Sequence, residues 1–215
     1  ISLWTKGKLQ NLNTYLDYKI IEQSPDRAVF ELYHTNKLDG KIVRETKRIT
    51  VIMGQRLFQC ESRFTIDGKP AQLDIAIGLK PQTKDAKTLF SPKTGTMLVW
   101  ETLDSLGLGQ GIVLDPTSTG KMIKHTDADG LIQTLCLTRT DQTGYIRWFA
   151  GYGWEGQGEI TSTQLWQSYL TDFSAKFTRK PFADNSKTLK THTLNLPADP
   201  LAPKPVKGVP GVTIL

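Results

Sequence analysis

The sequence predicts an all-β chain, an antiparallel β-sandwich with one α-helix near its C-terminal end. Three observations carry that prediction. β-branched and aromatic residues alternate with polar ones through residues 1–160. Turn signals punctuate that stretch, among them the pairs Asp39-Gly40 and Asp67-Gly68. One segment alone, Thr163–Thr178, changes period, with Trp166, Leu170, Phe173 and Phe177 on a single helical stripe.

The elements follow in order. Arg27–His34 alternates Ala28, Phe30 and Leu32 against Arg27, Glu31 and Tyr33, then Asn36–Gly40 turns the chain. Ile42–Ile52 returns, Leu57–Ile66 follows, Asp67-Gly68 turns again, and Leu73–Leu79 continues an antiparallel meander. Met97–Glu101, Gly111–Leu114, Gly130–Thr138 and Gly144–Ala150 read as further strands. Polar connections separate them: Lys80–Thr96, Asp115–Asp129 and Arg139–Thr143. The first of these, with Pro81, Pro92 and Gly95, is long enough to be a functional or disordered loop. Ser162 or Thr163 caps the helix and Pro181 ends it. Lys187–Leu196 alternates as a candidate last strand, and the proline-rich residues 197–215 read as an extended tail. The organisation is one sandwich domain, 1–182, followed by a strand and tail, 183–215.

Composition narrows the function classes. With 38% hydrophobic residues, five Trp, six Tyr and eight Phe, the chain can fill a core and is not disordered. It has no apolar run of the roughly 18 residues a spanning helix needs. Cys60 and Cys136 are too few for a disulfide scaffold or a Cys-based zinc site, and at apolar strand positions they read as buried thiols, with a single disulfide as the alternative. The three His stand apart, so neither a metal nor another cofactor is expected. Gly107-Leu-Gly-Gln-Gly111 lacks phosphate-loop spacing and leads into a strand, so its glycines read as a tight strand entry. The net charge of +6 fits an anionic partner, or simple solubility. The basic residues are dispersed, which sets nucleic acid aside and leaves acidic oligosaccharide or polysaccharide as the partner carried forward.

Candidate site residues come from strand faces. Alternation puts Glu31 and Tyr33 on one face, Arg44, Thr46, Arg48 and Thr50 on another, and Gln59, Glu61, Arg63 and Thr65 on a third. If these coincide, Arg48, Glu61 and Arg63 can bind substrate, an Arg pairing with a uronate carboxylate, while Tyr33 moves a proton. The alternative is a solvated face of salt-bridged rows. Tyr145, Trp148, Phe149, Tyr152 and Trp154 form an aromatic cluster running into a Gly-rich segment, Gly151–Gly158, read as a loop. Trp148 and Trp154 are read as a sugar platform and Tyr152 as a second proton carrier; the alternative is core packing. His125, in the polar stretch Lys124–Asp129, is the third proton carrier, or else an ordinary surface His.

Several motifs in order resemble a bacterial family known as domain of unknown function 4861. They are Arg27–Tyr33 (RAVFELY), Val43–Val51 (VRETKRITV), Phe58–Phe64 (FQCESRF), Ala76–Lys80 (AIGLK), Gly109–Pro116 (GQGIVLDP), Phe149–Trp154 (FAGYGW) and Trp166–Leu170 (WQSYL), and the resemblance covers residues 1–182. It implies a secreted or periplasmic protein of polysaccharide-degrading bacteria and a supersandwich of the galactose-mutarotase type. It also implies a β-rich half before the segment resembling Ile1–Trp4. Ile1–Leu9 is therefore expected to lie against that missing half or a second polypeptide, or to be poorly ordered. The resemblance assigns no catalytic residue.

Together these readings predict a carbohydrate-active enzyme that cleaves acidic oligosaccharides by β-elimination. Arg48 or Arg63 would neutralise a uronate, and Tyr33, Tyr152 or His125 would move protons. Two alternatives stand beside it: a glycoside hydrolase drawing on Glu31, Glu61 and Asp74, or a non-catalytic sugar-binding module using Trp148 and Trp154.

Overall fold

A computed structural model describes residues 1–116, 118–179 and 189. The strands are β1 (Ser2–Thr5), β2 (Lys8–Asn11), β3 (Asp17–Gln23), β4 (Arg27–Leu38), β5 (Lys41–Ile52), β6 (Leu57–Ile66) and β7 (Lys69–Pro70). They continue as β8 (Asp74–Leu79), β9 (Lys87–Ser91), β10 (Thr96–Leu103), β11 (Leu106–Leu114), β12 (Lys121–Thr126), β13 (Ile132–Arg139) and β14 (Tyr145–Trp154). A short 3₁₀ turn, Glu155–Gln157, and the helix α1 (Thr163–Arg179) close the series.

All described strand pairs are antiparallel, and they form two sheets. The smaller has five strands in the order β12-β13-β8-β1-β2; the larger has nine, β3-β4-β5-β6-β14-β11-β10-β9 with β7 beside β6. One core lies between them. Leu3, Ile75, Ile77, Met122 and Cys136 from the small sheet meet Val43, Phe64, Met97, Ile112 and Trp148 from the large one. A second core lies behind the large sheet, where Trp166 and Leu170 of α1 pack on Leu98, Val113 and Phe149. Both helix side chains are fully buried, and each such burial stabilises the fold by about 1.5–3 kcal/mol.

Local chemistry explains the elements. Asp39 and Gly40, and again Asp67 and Gly68, all take positive φ, the conformation of a tight hairpin turn. Ser162 caps α1, its Oγ accepting from the Leu165 N–H at 3.2 Å. The glycines of β11 have a different reason from the one expected. A Cβ at Gly109 would come within 2.6 Å of the Trp166 ring, and one at Gly111 within 2.7 Å of Leu170, so these positions let the helix lie directly on the strand.

The structure corrects several boundaries. The Lys80–Thr96 connection contains β9, the Asp115–Asp129 connection contains β12, and the Gly-rich stretch after Ala150 stays extended to Trp154. Ile1–Leu9 finds its neighbours within the chain, since β1 pairs with both β8 and β2 and Leu3 is buried. Both cysteines are free and buried, and burial pushes the Cys60 thiol up to about 12. The candidate strand 187–196, the tail 197–215 and Pro181 lie outside the described residues, apart from Leu189, as does the Phe177 side chain.

Candidate functional site

The register brings the expected charged residues together. Lys19, Glu31, Arg48, Glu61 and Arg147 form one cross-strand row on the outer face of the large sheet. Asp17, Tyr33, Thr46, Arg63 and Tyr145 form the next. Arg48 donates to Glu31 Oε1 through Nε at 3.0 Å and a terminal nitrogen at 2.6 Å. Tyr33 donates to Glu31 Oε2 at 2.7 Å, and Tyr145 donates to Glu61 Oε1 at 2.7 Å. The rows are not an open surface: Glu61, Thr46, Tyr33 and Glu31 are all buried. Burial and the bond to Glu31 push the Tyr33 phenol above its ordinary value, so it remains a donor. This face is an internally paired ionic lattice. Glu31 and Glu61 sit on opposite sides of Arg48, and Asp74 is paired with Arg139 on the other sheet, so no two of the three carboxylates share a cleft.

The inner face of the large sheet holds the exposed candidates. Trp148, Ala150, Tyr152 and Trp154 alternate onto it along β14. Trp148 is deep in the inter-sheet core, so its platform role gives way to packing. Farther along the strand the small sheet no longer covers this face. Tyr152 is 59% exposed and Trp154 43% exposed. His125 lies on β12, the edge strand of the small sheet, opposite Gln133, and lines none of the clefts around Tyr152.

Three clefts meet at Tyr152. One of about 780 Å³ holds Arg56, Gln55, Gln157 and Glu159. The next, about 550 Å³, holds Leu79, Lys80, Gln82 and Gln110. The last, about 330 Å³, holds Trp154, Leu103, Asp104 and Leu106. Arg56 donates to Gln157 at 2.7 Å and pairs with Glu159. Glu159 is 77% exposed, and an ion pair with so exposed a partner is readily exchanged.

The groove floor is fixed from within. Buried Glu101 accepts from the Gln82 and Thr83 N–H groups at 2.8 and 3.0 Å, and its other oxygen accepts from Gln110 Nε2 at 2.9 Å. One carboxylate thus ties the 82–83 segment and Gln110 together. From the opposite face Trp166 Nε1 donates to the Gln110 carbonyl at 3.0 Å, and the Arg56 N–H donates to Tyr169 Oη at 3.3 Å. Trp154 has its own seat, because a Cβ at Gly156 would come within 2.5 Å of its ring. No sequence signal marks Arg56, Glu101 or Gln110: Arg56 follows the Gly54 turn with no motif around it, and Gln110 sits inside a glycine run.

Among the described residues, no cluster of three His, Cys, Asp or Glu could hold a metal ion, and no helix is long and apolar enough to cross a membrane. The model of one protein family, described as domain of unknown function (DUF4861), matches residues 1–182. No curated protein matches the chain. Among solved structures, the alpha-galactosidase from Lactobacillus brevis is similar at 13% identity and a TM-score of 0.39, over 77% of this chain and 30% of that one.

Proposed function

The chain belongs to the DUF4861 family over residues 1–182, and within that family we propose that it is a carbohydrate-active domain that holds an acidic oligosaccharide in the Tyr152 groove and cleaves it by β-elimination. The observation that carries this reading is an exposed tyrosine and an arginine in one cleft, Tyr152 and Arg56. Exposed aromatic faces suit the apolar faces of pyranose rings, and the side-chain amides of Gln55, Gln82, Gln110 and Gln157 suit hydroxyl groups.

Elimination needs a proton carrier and a cation beside the uronate carboxylate. The Arg56 guanidinium would exchange exposed Glu159 for that carboxylate. Tyr152, reacting as the phenolate, would take the proton from the carbon next to the carboxylate. The released electron pair forms the carbon–carbon double bond as the bond to the departing sugar oxygen breaks, and the Tyr152 phenol so formed returns its proton to that oxygen. The chain's net charge of +6 favours encounter with an anionic polymer. A secreted or periplasmic setting belongs to the same proposal.

The test is incubation with oligosaccharides of galacturonate, mannuronate and guluronate. Absorbance of the conjugated double bond should grow with time. New reducing ends without that absorbance would replace elimination by hydrolysis, and binding with neither would leave a sugar-binding module. No binding to any of these chains would overturn the proposal.

A further inference from the structure

We infer that the groove takes an internal stretch of a linear glycan across three consecutive subsites, and does not capture a chain end. The inference rests on the glycan reading above and adds the form of the ligand. Each neighbouring pair of clefts shares two wall residues. Phe58 and Tyr152 join the first cleft to the second, and Leu108 and Tyr152 join the second to the third. The three are therefore one groove with Tyr152 at its middle.

Its chemistry is distributed along its length. Arg56 and two glutamines serve one end, Gln82 and Gln110 the middle, and Trp154 the other end. A site for a single terminal sugar would instead gather its polar groups around one ring. Tyr152 and Trp154 are two residues apart on one strand face, about 7 Å by the rise of a strand. One sugar cannot cover both rings at that spacing, so the rings serve different sugars of one chain. The backbones of Gln110 and Arg56 are both held by α1, so the middle and one end are set before any ligand arrives.

The experiment is calorimetry on the intact protein with a length series of one uronate, from the monosaccharide to the hexasaccharide, plus a hexasaccharide reduced with borohydride. Affinity should rise by about tenfold or more from the monosaccharide to the trisaccharide and then level off, and the reduced hexasaccharide should bind as tightly as the native one. Trp154→Ala should weaken the hexasaccharide about tenfold and leave the disaccharide within about twofold. Equal affinity at all lengths, or loss of binding on reduction, would overturn the subsite inference while leaving the glycan reading standing. No binding at any length would overturn the glycan reading itself.

Discussion

In the proposed elimination Tyr152 and Arg56 divide one task between them, and single substitutions separate their parts. Tyr152→Phe keeps the ring and removes the hydroxyl group. Turnover should fall by about 10²-fold or more while KM stays within about threefold, as expected when a proton carrier is lost. A parallel loss in both would make Tyr152 a platform only. Arg56→Lys keeps the charge and loses the planar fork. It should weaken uronate chains and leave their methyl esters unchanged, measured by calorimetry on both. Glu101 acts one step back. Glu101→Ala frees the Gln82 and Thr83 N–H groups and releases Gln110. Each of these part-buried hydrogen bonds contributes about 0.5–1.5 kcal/mol, so the midpoint of thermal unfolding should drop together with glycan affinity.

At the scale of elements, β11 and α1 are fitted to each other. Gly109→Ala would push a methyl group against Trp166, and the overpacking should cost about 1–3 kcal/mol in a denaturant titration. A neutral result would mean that the helix can shift away from the strand. β6 was legible end to end, because Leu57–Ile66 alternates between two buried environments. That Arg48, Glu61 and Arg63 share a face was legible too, since two-residue alternation fixes which side chains of a strand point the same way. β9 and β12 were not. Both are edge strands carrying Lys87, Lys121 and Lys124, the charges that guard sheet edges and make them resemble loops. The end of β14 was missed because Gly151 and Gly153 imitate flexibility. In fact Gly153 makes room for Ile160 and Trp166, and Gly151 for the backbone of Arg56. Most of the groove was hidden for a further reason: it is assembled from segments distant in sequence, which only the sheet order brings together.

At the scale of the whole molecule, the core is not uniformly apolar. His34, Asn36 and Glu45 are buried near one another, with His34 opposite Glu45 in the ladder. Burial holds the His34 imidazole below its ordinary 6.5, with Lys47 adding to the effect and Glu45 opposing it. An unfolded chain takes up that proton near 6.5, whereas the folded one does so only at lower pH. In the interval the unfolded state binds more protons, so stability rises with pH through it and levels off above. The midpoint of thermal unfolding should therefore decline as pH falls below 6.5, and His34→Gln should flatten that decline; matching slopes would exclude His34 as its source. The bonds from Trp166 and Tyr169 to the backbones of Gln110 and Arg56 set where the working unit ends. Apart from Tyr169, the described residues that line the groove lie at or before Glu159, yet the floor beneath it is held by the helix that comes after. A protease cut between Glu159 and Thr163 would take only Tyr169 from the groove's walls, yet it should abolish binding once the released helix is washed away, because the support of the floor goes with it.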